Sequence, residues 1–332
     1  YGEFRHSPLV PAAAESVTVT TTADDPDGIQ SLTLWWSAAG GAWQSTSMAQ
    51  GENNQYIGTL PGKTSGTIVQ FYVAGQDGSG ATSTFPAAGQ DSRALYKVQD
   101  GQGTTNPVDT LRIIMTAVDS SALFERTQLM SNAFRGGTLI HNNSEVFYDI
   151  GIRLKGSAAG RTSGDVNPGS YRIKFQPDHK FRGVHQSIAL DGSGRSQFED
   201  RDGQDEILVA HLINHAGGMT SLYHDLGYMI APNYAHTRPV IMMLARYSDG
   251  YLDEAFGPHS DGTLYEFEGI YYATQTINGH LESLKDPSIG SRFHGTDFGG
   301  MGDDKEDYRW NFLIKNRRAR DNYENIISMA KA

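Results

Sequence analysis

The sequence predicts a multidomain protein, an all-β sandwich followed by an α+β domain. Three observations carry that reading. Seven short strand patterns run through residues 15–99, a polar glycine-bearing stretch interrupts the pattern at 100–109, and strand and helix periodicities interleave from 110 onward. A chain of 332 residues is also long for one core, because single cores rarely grow past about 250–300 residues.

Residues 1–14 contain Pro8 and Pro11 and read as a lead-in. Threonine and valine alternate over 16–22, and Leu32, Leu34 and Trp36 share one face of the next segment. Further strands follow at 43–48, 55–60, 67–74, 81–85 and 93–98, each bounded by glycine, proline or asparagine turns. Strands spaced about 8–12 residues apart are the pattern of a small β-sandwich. Without cysteine it has no intersheet disulfide, so an immunoglobulin-like module of bacterial or fibronectin type III kind is expected. The stretches Asp24-Asp25-Pro26-Asp27-Gly28-Ile29 and Phe71 to Asp77 resemble bacterial sandwich modules attached to secreted enzymes. The linker is 100–109, with Pro107 inside it.

In the second region, 111–116 is a buried strand by composition, and Asp119 or Ser120 is placed to cap a helix through Leu123, Phe124 and Leu129. Phe147, Ile150, Ile152 and Leu154 alternate with Arg153 and Lys155, and Tyr171, Ile173 and Phe175 with Arg172 and Lys174. That period of two marks half-buried strands. A helix over 203–216 carries Ile207, Leu208, His211, Leu212 and His215 and stops at Gly217-Gly218. Strands are expected at 226–230, 240–244 and 264–272, helix at 249–256, and mostly helix over 305–332.

Net charge is −11, from 27 basic and 38 acidic residues, which excludes broad electrostatic binding of nucleic acid. No apolar run reaches the length of a membrane span. The absence of cysteine excludes thiolate metal sites and thiol nucleophiles. The chain opens on Tyr1 without a leader pattern, and 321–332 is helical in pattern without a stop signal, so a fragment of a longer protein is expected.

Several residue groups could carry chemistry. Between the two cation-bearing strands, residues 156–164 form a glycine-serine loop rich in donors, whose N–H groups could hold a polyphosphate beside lysine. A glycine-serine loop between two strands is usually a long hairpin connection, and this one fits no Walker or Rossmann spacing. Asp24, Asp25 and Asp27 before Gly28, with Asp77, suit Ca²⁺, although an Asp-Pro-Asp-Gly turn explains them without an ion. Asp303, Asp304, Glu306 and Asp307 read as a solvated helix start, with a metal as the rarer alternative. Glu266 and Glu268 share a strand face and could divide acid and base roles. His211 and His215 stand four apart, but His-Leu-Ile-Asn-His lacks the glutamate of a zincin motif.

The stretch from 146 to 190 resembles the CotH kinase family, the spore-coat-type atypical protein kinases. The pattern of arginine, any residue, a basic residue, glycine and serine, then a lysine-bearing strand, is matched by Arg153, Lys155, Gly156, Ser157 and Lys174. The resemblance extends over roughly 111–332, through Phe181-Arg182-Gly183-Val184-His185 and Gly262-Thr263-Leu264-Tyr265-Glu266. It implies a kinase-like α+β fold and transfer of the γ-phosphoryl group of ATP, with Mg²⁺ or Mn²⁺, to serines of a secreted or cell-surface bacterial protein. On that pattern Arg153, Lys155, Gly156, Ser157 and Lys174 bind the nucleotide, and Lys174 with Glu206 as its carboxylate partner is catalytic. Ala245 stands where many members carry a glutamate, and the downstream aspartate-rich metal motif does not occur before Ala332. Residues 110–332 are therefore expected to be an N-terminal portion of such a domain, inactive if Ala332 ends the protein. The rival expectation is a non-catalytic adhesive or matrix component that uses the kinase-like fold as scaffold and self-assembles.

Overall fold

The computed structural model describes residues 1–103, 108–156, 161, 169–192, 204–217, 220–222, 224–267, 270–273, 275–280, 282–284, 291–294, 301–309 and 312–332. The fold is mostly β, with several sheets.

The first unit is two sheets closed on one core. Strands β1 (Gly2–Ser7), β2 (Val17–Thr22), β3 (Ile29–Ala38), β4 (Gln44–Ser47), β5 (Ala49–Gln50), β6 (Gln55–Leu60), β7 (Ile68–Asp77), β8 (Thr82–Phe85) and β9 (Leu95–Lys97) build it. One sheet has the order β1-β2-β6-β5, the other β4-β3-β7-β8 with β9 also on β7. Alternation decides which side chains go inside: Val17 and Val19, Leu32, Leu34 and Trp36, and Val69, Phe71 and Val73 are all buried in that core. The expected lead-in is an edge strand instead, because Phe4 and His6 alternate into the same core while β1 pairs with β2.

The second unit is a closed seven-stranded barrel, in the order β10-β11-β12-β13-β14-β16-β15. Its strands are β10 (Asp109–Ile114), β11 (Arg135–His141), β12 (Glu145–Lys155), β13 (Ser170–Lys174), β14 (Ser187–Asp191), β15 (His224–Ile230) and β16 (Arg238–Leu244). Antiparallel pairs run around it until β10 meets β15 in parallel and seals the wall. The interior is filled by Leu111, Ile113, Leu139, Ile152, Leu154, Ile173, Ile188, Leu190, Met229 and Ile241, so it is a packed core and chemistry must lie on the outside or the rims. Phe181, 1% exposed, stacks on Phe175 at 5.4 Å and closes one end. At the other end the Tyr171 hydroxyl meets His236 Nδ1 at 2.7 Å.

Helix α1 (Ala117–Leu123) follows β10. Its cap is Thr116, which accepts from the Asp119 N–H at 3.1 Å; Asp119, expected to cap, lies in the first turn and pairs with Arg93 at 2.6 Å. Helix α2 (Gln204–Ala216) ends at Gly217, whose φ of +78 is the left-handed stop that glycine permits. It buries Ala210 and leaves Leu208 and Leu212 exposed, so the expected apolar face is not the packed one.

After α3 (Asp249–Phe256) the chain forms a small third cluster. The expected strand over 264–272 is split into β17 (Tyr265–Phe267) and β18 (Ile270–Ala273), the latter paired with β19 (Ser291–His294). The expected long helix is two short ones, α4 (Lys305–Arg309) and α5 (Glu324–Lys331), on either side of β20 (Phe312–Ile314), which pairs with β17. The reason lies in apolar alternation at Phe312 and Ile314, and in left-handed backbone at Arg317 and Asp321 that no helix tolerates.

Sandwich and barrel share a buried seam. Ile114, Ile140 and Val146 point out of the barrel against Leu9, Val10, Ile68 and Leu95. Leu95 N–H donates to Thr138 Oγ1 at 2.9 Å, and that hydroxyl donates to Arg93 C=O at 2.5 Å. Asp149, at φ +50 within β12, re-phases the strand so that Tyr148 reaches Phe4 and Phe71 at 5.3 and 5.8 Å. Of the expected linker, Asp100 and Gln102 are tied to buried Arg112, and Asp109 already belongs to β10.

His6 is 1% exposed and lies within 2.6 Å of the Tyr148 hydroxyl; burial lowers its pKa from 6.5 to about 4. The unfolded chain therefore takes up a proton that the folded one refuses between those values. Stability from the neutral ring is complete above pH 6.5 and is lost as pH falls toward 4. The loss is on the order of 3 kcal/mol at about 1.4 kcal/mol per pH unit. Denaturation midpoints of wild type and His6→Gln, compared from pH 7 to 4, should converge as the pH falls; parallel curves would contradict this.

Candidate functional site

Cross-strand register assembles a row of side chains at one rim of the barrel. Lys155 on β12 is opposite Ser170 on β13, and the pairing of Tyr171 with Leu190 sets Ser170 beside Asp191 on β14. Because neighbouring Leu154, Tyr171 and Leu190 point inward, these three point out. Asp191 is 6% exposed; it forms an ion pair with Lys155 and accepts from Ser170 Oγ at 3.3 Å. Ser170 Oγ in turn accepts from Gly192 N–H at 3.1 Å. A buried carboxylate needs such partners, and removing one leaves an uncompensated charge.

One pleat along the strands, Arg153 lies opposite Arg172, and both guanidinium groups lie against the Phe134 ring, at 5.7 and 5.8 Å. Arg153 Nη1 donates to Asn132 Oδ1 at 2.7 Å. Arg161 binds the same oxygen at 3.1 Å, donates to Gly156 C=O at 2.7 Å, and reaches the Leu129 and Ser131 carbonyls. Arg161 thus straps the start of the glycine-serine loop to the segment before β11. Gly156, at φ +103, makes the turn out of β12 that a side chain would oppose. Lys155 pairs with the Asp191 carboxylate, and one pleat along the same outer face Arg153 and Arg172 converge on Phe134, so cations outnumber the carboxylate on this face, a balance suited to phosphate oxygens.

The other expected site residues separate. Lys174 is exposed at the opposite end of β13, four residues from Ser170 or about 13 Å along the strand. Among the described residues it has no ion-pair partner. Glu206 is exposed and lies 3.9 Å from His224, so the expected Lys174–Glu206 pair does not form. Ser157 and Glu268 lie outside the described residues, and Glu266 pairs with Lys315. Ser170, Arg161 and Asp191 were not singled out by the sequence, and Arg172 was named only as a cation on its strand. The signal for Asp191 was an aspartate ending an apolar strand just before Gly192.

In the sandwich, carboxylate oxygens of Asp25, Asp27 and Asp77 lie within 4.8 Å of one another, whereas Asp24 is turned to Asn54 at 3.4 Å. Hydrogen bonds explain much of this loop: Asp77 Oδ1 accepts from Ser79 Oγ and from the Ser79 and Ala81 N–H groups. Those bonds, the Ser79 hydroxyl first, hold Asp77 below the usual carboxylate range. In the third cluster, the acidic run is matched by cations: Arg309 binds Glu306 and Asp321, and Lys331 binds Asp303. The His211 and His215 rings lie 4.0 Å apart and tilted by 34°, with His215 Nδ1 on the His211 carbonyl at 2.8 Å, an in-helix bond.

No family model and no curated protein matches the chain. Among solved structures, a Br derivative of BhCBM56 is 12% identical, with 25% of this chain and 91% of that one covered at a TM-score of 0.19. The cycloalternan-forming enzyme from Listeria monocytogenes, in complex with a pentasaccharide substrate, is 14% identical, covering 56% of this chain at a TM-score of 0.23. The chain spans 17% of that enzyme's length. The twitchin kinase region from C. elegans is 10% identical, with 72% of this chain and 38% of that one covered, also at 0.23. At these scores the likenesses assign neither family nor function.

Proposed function

We propose that the chain is a CotH-like, ATP- and divalent-metal-dependent protein serine kinase region with an immunoglobulin-like accessory sandwich, from a secreted or surface-exposed bacterial protein. The observation that carries the reading is the Lys155–Asp191 pair with Arg153 and Arg172 beside it, at the rim where the family-like Arg-x-Lys-Gly-Ser motif leaves β12. Lys155, Arg153 and Arg172 are the groups that would contact the nucleotide phosphates, and Lys174 is outside this constellation. Asp191 is the carboxylate that could meet a metal ion, consistent with Mg²⁺, which takes one or two carboxylates plus phosphate oxygens. Bound metal would supply neutralisation of the phosphate charge; the protein's own share is positioning and point charges.

Titration calorimetry of ATP with Mg²⁺ or Mn²⁺ tests the reading. Saturable, metal-dependent heat is expected. No heat at millimolar ATP would instead favour a non-catalytic adhesive or matrix role for the same scaffold.

A calcium site in the sandwich is the second reading, favoured by the convergence of Asp25, Asp27 and Asp77. Extracellular modules bind Ca²⁺ at about 0.1–1 mM, so 10 mM Ca²⁺ should stabilise the sandwich by roughly 1–3 kcal/mol. The gain should vanish in Asp77→Asn. An unchanged melting curve in wild type would reduce the triad to a hydrogen-bonded turn.

A further inference from the structure

A histidine and a tyrosine from different units close a hydrogen-bond circuit inside the seam. His6, on edge strand β1 of the sandwich, is buried, and Tyr148, on β12 of the barrel, packs against the sandwich core. His6 Nε2 lies 3.1 Å from the Leu9 carbonyl, which can only accept, so that nitrogen carries the hydrogen of the neutral ring. Nδ1 is then an acceptor and takes the Tyr148 hydroxyl at 2.6 Å. The phenol oxygen in turn accepts from the His6 backbone N–H at 3.1 Å. Each hydrogen in the circuit has an acceptor, and the neutral ring is the form that fits.

A second ring proton has one place to go, Nδ1, where it meets the hydroxyl hydrogen. Tyr148 Oη has no other hydrogen-bond partner among the described residues, so turning the hydroxyl away leaves its hydrogen buried without an acceptor. The Leu9 contact is the same with or without the proton. The conflict therefore falls on the bond that crosses between the units. Nothing around the ring offsets it. Phe71 from β7, Tyr96 from β9 and Tyr148 from β12 pack on the ring, and burial pushes both phenols up, so they stay neutral. Glu3 and Arg5 alternate outward on β1 and are exposed. The charged groups of the seam serve one another: Asp149 accepts from Arg93 N–H, and Arg93 Nε donates to Asp119 at 2.6 Å. Burial raises the Asp149 carboxyl, so its own protonation favours the docked form and opposes the effect of His6.

We propose that His6 and Tyr148 form an acid-operated latch, in which protonation of the His6 ring undocks the sandwich from the barrel while both units stay folded. Each unit has its own core, so separation exposes the seam and leaves the two cores closed. A proton that merely lowered overall stability would act on both units at once; the latch acts first on their coupling. This role is independent of the rim around Lys155.

Scanning calorimetry and small-angle scattering of the full chain at about pH 7 and pH 4.5 test it, the lower value keeping most exposed carboxylates ionised. One transition is expected at neutral pH and two in acid, with a larger radius of gyration that returns on neutralisation. His6→Gln should keep one transition and an unchanged radius under both conditions. Should that variant fail to fold, ring NMR of the wild type takes its place. The His6 ring should then be the neutral Nε2–H tautomer at neutral pH and should charge over the range in which the radius grows. Two transitions already at neutral pH, one transition under both conditions, acid splitting of His6→Gln equal to that of wild type, or a ring that charges without undocking would overturn the proposal.

Discussion

Lys155→Met is expected to weaken ATP binding by ten- to a hundredfold, whereas Lys174→Ala should leave it within a few-fold. A charge-assisted contact is worth about 1.5–3 kcal/mol, and 1.4 kcal/mol is a factor of ten. Lys155 faces the rim shared with Arg153, Arg172 and Asp191; Lys174 lies at the far end of β13. The substitution also removes the ion-pair partner of a carboxylate that is 6% exposed. Some loss of stability should accompany the loss of binding, about 1–3 kcal/mol because Lys155 itself keeps a third of its side-chain surface. Adding Asp191→Asn to Lys155→Met should recover stability without recovering binding. Calorimetry and denaturant melts on the same preparations separate the two effects. A Lys174→Ala variant that alone abolished binding would return the site to the arrangement expected from the motif.

Ile140→Ala should cost about 2–5 kcal/mol, the range for truncating a fully buried isoleucine. Ile140 faces away from the barrel core and into the seam with Leu9, Val10, Ile68 and Leu95. The loss should therefore fall on the coupling of sandwich and barrel rather than on either core. In scanning calorimetry the wild type should melt the two units together, and the variant should show two transitions. Two separate transitions in wild type, with little change on substitution, would mean that the seam does not couple the units.

The sandwich strands were legible because alternation there has a single meaning, one face in and one face out. Leu34 and Trp36 were assigned to one face on that basis, and the structure buries both. Most barrel strands were legible singly, but β11 and the closure were not. Closure depends on the parallel pairing of Asp109–Arg112 with Gly227–Ile230, far apart in sequence and without a local signature. The all-apolar stretch Ile113 to Met115 did announce a strand buried on both sides, and the second side is the sandwich.

The rim was only partly legible. Arg153, Lys155 and Gly156 carry a motif, but which lysine has a carboxylate partner is decided by register between β12, β13 and β14. A motif read along one strand cannot supply that, so Glu206 stood in for Asp191. The helix expected over 305–332 failed for a local reason, because α4 and α5 flank a strand held by Glu266–Lys315 and by the left-handed turn at Arg317.

Labelling the native protein with an acyl-phosphate derivative of ATP, which transfers its acyl group to a lysine beside bound phosphates, tests the site most directly. Peptide mass spectrometry should find Lys155 modified, with protection by excess ATP and Mg²⁺, and Lys174 labelled no more than other exposed lysines. ATP-protected labelling at Lys174 in place of Lys155, or no protected lysine at all, would contradict the rim around Asp191 as the nucleotide site.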